Sequence, residues 1–104
     1  MINVITDRYE ALETSWGTSL KGYLYATYSQ LVEALGQPTI DEPSGDEKVQ
    51  VEWVVDFKGE TFTIYDWKTY SRDYTLFELD KFNVGGKSYA GDFIDYVEQL
   101  IKTK

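Results

Sequence analysis

Apolar and polar residues alternate most cleanly over VQVEWVVDF, residues 49 to 57, where Val49, Val51, Trp53, Val55 and Phe57 fall on one side of an extended chain. Lys58-Gly59 then has the composition of a two-residue hairpin loop, and ETFTIYDWK follows. That loop length pairs Val55 with Phe62 and Trp53 with Ile64, which gathers the apolar positions of both strands on one face. A slip of one residue would destroy the match, so pattern and loop length together set the register. The opposite face carries Val54, Tyr65 and Trp67, with Thr61 and Thr63 on the same side.

A helical period appears twice. In TYSQLVEALGQP, Tyr28, Leu31, Val32 and Leu35 share one face. Thr27 and Gln30 have the spacing of a capping box, Gly36 suits a left-handed terminus and Pro38 prevents continuation. In KSYAGDFIDYVEQLIKTK, Phe93, Ile94, Val97, Leu100 and Ile101 form an apolar stripe, with Ser88 as the expected cap. TDRYEALETSW predicts a short helix capped by Thr6. SLKGYLYA predicts a strand with Leu20, Gly22 and Leu24 on one face and Lys21, Tyr23 and Tyr25 on the other, and Gly22 suits a bulge. Residues 70 to 86 read as a loop followed by the strand pieces TLFEL and KFNV. The alternation changes phase near Asp80-Lys81, and Gly85-Gly86 makes the turn into the last helix.

The sum is one α+β domain spanning residues 1 to 104, an antiparallel sheet of three to five strands with two main helices on one face. No internal repeat is visible.

Composition narrows the chemistry. The 104 residues include no cysteine and no histidine, which removes disulfides, thiolate ligands, the commonest general base and the commonest metal ligand. The expectation is a non-enzymatic protein with no cofactor and no metal. A formal charge of −8 disfavours nucleic acid and anionic membranes as direct partners, and favours solubility and basic protein surfaces. The early acid in MINVITDRYE and the absence of a long apolar run predict a cytoplasmic protein. TIDEPSGDEK lacks the alternating acids of a calcium loop and reads as a solvated acidic loop. KFNVGGKS lacks the first glycine of a phosphate loop. Lysines stand singly along the chain rather than in a cluster.

Two features invite a functional reading. Tyr65 and Trp67 beside Val54 have the composition of a binding hot spot, large and amphipathic, and Asp41, Glu42, Asp46 and Glu47 would form an acidic rim. The competing reading is that the N-terminal segment folds over this face and buries it. Asp66 falls on the inward phase opposite Val51, where a carboxylate needs Lys68, Arg72 or backbone N–H groups as partners. A structural cap explains it better than a catalytic acid.

GTSLKGY at 17 to 23, YSQLVEALGQP at 28 to 38, KVQVEW at 48 to 53, TIYDWK at 63 to 68 and NVGGKS at 83 to 88 together resemble a group of small uncharacterised bacteriophage proteins. The resemblance covers about residues 17 to 88 and departs at Phe82-Asn83-Val84, where the group has a tryptophan-containing run. It carries no established activity. It implies a host bacterial cytoplasm and a small acidic protein that binds and inhibits a host defence or nucleic-acid-processing protein, in the manner of anti-CRISPR or DNA-mimic proteins. The alternative is a structural or homodimeric phage component. L-G-x-P before antiparallel strands is also similar to small outer-membrane assembly lipoproteins, whose cysteine this sequence lacks.

Overall fold

The computed structural model describes residues 2–46 and 48–103. The hairpin forms as its pattern demands: β3 (Glu52–Phe57) and β4 (Glu60–Tyr65) pair with Val55 opposite Phe62 and Trp53 opposite Ile64. Lys58 and Gly59 both take positive φ, 55° and 83°, the geometry whose twist suits a two-residue hairpin. The Asp56 carboxylate accepts the Gly59 N–H at 3.0 Å and fixes the turn.

Around this hairpin lies a five-stranded antiparallel sheet in the order β1-β3-β4-β5-β2. β1 (Ile2–Val4) lies against β3, β5 (Phe82–Gly86) against β4, and β2 (Ser19–Leu24) forms the far edge against β5. The architecture is α+β, with helices α1 (Arg8–Ser15), α2 (Tyr28–Leu35), α3 (Arg72–Phe77) and α4 (Gly91–Lys102) among the described residues. Trp53, Val55, Phe62, Ile64, Phe82 and Val84 of the inner sheet face pack with Leu31 of α2 and with Phe93 and Val97 of α4. Phe62 and Phe93 stack at 4.6 Å, and the Trp53 indole N–H donates to the Gly36 carbonyl at 2.9 Å. α2 begins with the expected reciprocal cap: Gln30 N–H donates to Thr27 Oγ1 at 3.2 Å, and Thr27 N–H to Gln30 Oε1 at 2.9 Å.

Four expectations are corrected. TLFEL is not a strand: Ser71 accepts the Tyr74 N–H, α3 starts there, and Thr75 turns inward to hydrogen-bond the buried Asp66. Gly85-Gly86 is not the turn but the end of β5, where the lack of a side chain matters. A Cβ on Gly86 would sit 2.8 Å from the Phe62 ring, and one on Gly85 2.5 Å from Thr63 Oγ1. α4 starts after Ala90 without a side-chain cap, because Ser88 donates instead to Glu60 at 2.5 Å. The cap of α1 is Asp7, not Thr6: its carboxylate accepts the Tyr9 N–H at 3.1 Å.

A fifth difference sets up the candidate site. β2 carries a bulge between Leu20 and Gly22, so Leu20 lies opposite Gly85 and Tyr23 opposite Asn83. The extra residue shifts the phase by one, which moves Leu20 to the face that holds Tyr23.

Candidate functional site

The outer sheet face has two parts. One row runs Leu20, Gly85, Thr63, Val54 across the strands, and the next runs Tyr23, Asn83, Tyr65, Glu52. α1 covers the Val54 end. Val54 is 1% exposed and packs with Ile5 and Ala11 in a small second core. Thr39 locks this corner, its hydroxyl donating to the Ile5 carbonyl at 2.6 Å and accepting the Val54 N–H at 3.0 Å. Val54 is therefore core, and its expected place on the contact surface is corrected: burying an apolar side chain under a helix is more favourable than leaving it in water.

Away from α1 the face stays open. Leu20, Tyr23, Tyr65, Trp67, Leu79, Lys81 and Asn83 line a shallow hollow of about 620 Å³. Leu20, Tyr23 and Trp67 are 48%, 44% and 49% exposed, high values for such large apolar groups. Tyr65 is half-buried and meets Trp67 edge-on at 6.4 Å, an arrangement that aromatic quadrupoles favour. Gly85 leaves room for the Tyr65 ring: a Cβ there would already touch Tyr65 Cε1 at 3.5 Å. Burial pushes the Tyr65 hydroxyl pKa up, with smaller upward contributions from Glu52 and Tyr23, against a hydrogen bond with Asn83 that lowers it.

Asp66 positions Trp67. Its carboxylate is buried and accepts four hydrogen bonds. Oδ1 takes the Gln50 and Val51 N–H groups at 2.7 and 3.0 Å. Oδ2 takes the Thr69 and Thr75 hydroxyls at 2.8 and 2.9 Å. The Lys68 N–H donates to the Lys48 carbonyl at 2.7 Å, so the segments 48–51 and 66–69 are clamped together. Lys68 and Tyr70 hold positive φ, 57° and 54°, a strain that this clamp offsets. Asp66 is thus a scaffold anchor satisfied by backbone N–H groups and hydroxyls, as the cap reading requires, and no lone pair is left over for acid–base work.

The clamp has an electrostatic result. The Lys48 and Lys68 ammonium groups each lie 5.8 Å from the Trp67 ring centroid, and Lys81 lies 4.7 Å from that of Tyr23. Three lysines scattered through the sequence therefore stand over two aromatic rings of the hollow, and Lys81 lines it directly, in a chain of net charge −8. Sequence reasoning missed this because it treated each lysine by its neighbours in the chain. It missed Leu20 because a bulge reverses its side. The usable signals were Gly22, a bulge former, and the lysines near the start of β3, the end of β4 and the start of β5.

The acidic residues are placed elsewhere and are mostly engaged. Asp41 pairs with Arg72, and Glu42 with Arg8 at 2.5 Å. Asp46 accepts from the Ser44 hydroxyl and the Lys48 N–H, which hold its carboxyl below the ordinary range. Glu47 lies outside the described residues. Arg8, Glu42, Pro43 and Glu52 border a separate hollow of about 290 Å³. The structure thus keeps Tyr65 and Trp67 together, joins them to Leu20, Tyr23 and the lysines, and leaves the acidic loop outside that group. Among the described residues no three His, Cys, Asp or Glu side chains gather as a metal ion requires, and no helix is long and apolar enough to cross a membrane.

Comparison of the chain with protein-family models, curated proteins and solved structures finds no match in any of the three.

Proposed function

We propose that this chain is a non-enzymatic binding protein whose contact surface is the open hollow of the outer sheet face. One observation carries the reading. Leu20 and Tyr23 from one part of the chain and Tyr65 and Trp67 from another are brought to one concave patch and left accessible. Large, stiff, amphipathic side chains that a fold exposes together are the usual anchors of a protein interface. The saturated hydrogen bonding of Asp66 supports a non-catalytic role, since the one buried carboxylate near the hollow is committed to the scaffold.

The sequence resemblance supports a reading in which this binding acts in a phage-infected bacterium, to inhibit a host defence or nucleic-acid-processing protein. The alternative is a homodimer through the same face, which would close the hollow to other proteins.

The test is affinity capture from bacterial lysate, with and without nuclease, using the wild type and a Tyr23→Ser/Trp67→Ser variant. Both side chains are about half exposed, so the variant should melt close to the wild type. A nuclease-resistant protein partner lost by the variant is the expected result. A partner retained by the folded variant would refute this surface, and a partner lost on nuclease treatment would refute protein binding.

A further inference from the structure

Resting on the reading that the hollow binds protein, we infer that its occupant is a short segment of the partner bearing an aromatic or aliphatic anchor flanked by carboxylates. The hollow, at about 620 Å³, has the size of a site for one large side chain and its neighbours rather than for a folded surface. Its floor is apolar and aromatic, Lys81 lines it over Tyr23, and Lys48 and Lys68 stand over Trp67, another of its lining rings. An anchor stacked on these rings would bring its flanking residues within reach of three ammonium groups, which carboxylates would satisfy.

Acids stand near these lysines as well, and one of them is fully committed inside the fold. Asp66 is buried and spends its lone pairs on four internal donors. Glu52, opposite Tyr65, borders the separate hollow beside Arg8 and Glu42; Asp46 accepts the Lys48 N–H, and Glu78 and Asp80 are exposed next in sequence to Leu79 and Lys81.

Other occupants fit less well. A basic segment would meet the lysines with like charge. A nucleic-acid strand would find aromatic faces and three cations, but its phosphates beyond the hollow would meet a molecule of net charge −8 within a Debye length of about 8–10 Å. A short acidic segment confines its charge to the place where the lysines are.

The experiment is selection of random short peptides displayed on a carrier, performed in parallel on the wild type and on a Lys48→Glu/Lys68→Glu/Lys81→Glu variant. Tryptophan fluorescence titration of the best peptide follows, with oligothymidylate as competitor. Lys68 and Lys81 are exposed and Lys48 is partly so; matched melting curves confirm folding, and a Lys→Gln triple variant replaces the reversal if it does not fold. The expected outcome is enrichment of Asp and Glu around an aromatic or aliphatic residue, with binding weakened about tenfold or more by charge reversal and no competition by oligothymidylate. Enriched peptides that are basic or neutral, affinity unchanged by charge reversal, or no enrichment at all would overturn the assignment. Oligothymidylate binding more tightly than any selected peptide would make the hollow a base-stacking platform instead. A lysate partner lost on Tyr23→Ser/Trp67→Ser but kept by the charge-reversed variant would leave protein binding standing and remove only the acidic segment.

Discussion

Replacement of Asp66 tests the clamp that holds Trp67, Lys68 and Lys48 in place. In Asp66→Ala two backbone N–H groups, of Gln50 and Val51, lose a charged acceptor at 2.7 and 3.0 Å. The Thr69 and Thr75 hydroxyls lie 2.9 Å apart and retain each other. Hydrogen bonds to a charged group contribute about 1.5–3 kcal/mol each, so losing the two N–H bonds should cost about 3–6 kcal/mol. That is a large share of the roughly 5–15 kcal/mol that holds a domain of this kind together. In Asp66→Asn the amide oxygen can still take both N–H groups, and the amide N–H₂ can donate to hydroxyls that rotate to accept. The expected cost is about 1 kcal/mol, the size of one ordinary hydrogen bond. Urea unfolding followed by far-UV circular dichroism gives both numbers, and tryptophan emission reports the segment that carries Trp67. A loss below about 1 kcal/mol in the alanine variant, or equal losses in both variants, would refute the acceptor geometry as the source of the clamp.

Two further substitutions probe neighbouring features. Glu52 binds its proton more tightly when folded than when unfolded, because burial and Asp66 raise its pKa. Stability should therefore fall as pH rises from the ordinary Glu value of 4.5 through the raised folded value, and Glu52→Gln should remove that loss. Thermal melts across pH should show the variant more stable at neutral pH, with the advantage vanishing below the ordinary carboxylate range; an advantage that grows on acidification would contradict this sign. Gly86→Ala should destabilise by about 1–3 kcal/mol, since the new methyl meets the Phe62 ring at 2.8 Å while Phe93 stacks on that ring. Unchanged denaturant midpoints would show that Phe62 has more freedom than its packing indicates.

What the sequence made legible was local. The β3–β4 register needs only a period of two and a two-residue loop, and the cap of α2 needs residues three apart, so both could be read directly. Residues that answer to distant partners were not legible. Thr75 belongs to a helix partly because Asp66 awaits its hydroxyl. Leu20 changes face because the far-edge strand takes on an extra residue opposite β5. The same division holds at the hollow. Tyr65 and Trp67 stand two apart on one strand phase and were visible as a pair, whereas Val54, on the same phase, is claimed by a helix the pattern did not assign to that face. The placing of two lysines over Trp67 depends on the carboxylate of Asp66 joining two segments, a contact that no single stretch of sequence displays.

The strand order has a consequence for how the chain acquires its shape. Residues 2 to 24 supply both rims of the sheet, while residues 52 to 86 supply its interior. The segments synthesised first therefore have no partners until the later ones exist, and neither rim can be laid down before the hairpin and β5 offer an edge. Closing such long loops is slow relative to forming a hairpin, so β3–β4 is the natural seed and the two rims are late arrivals. During synthesis the early segment, with Ile5, Ala11 and Leu24 that the finished fold buries, would wait uncovered. Crowded expression thus exposes this chain to sticking at its first quarter, and slower synthesis or lower temperature would favour recovery of the folded form.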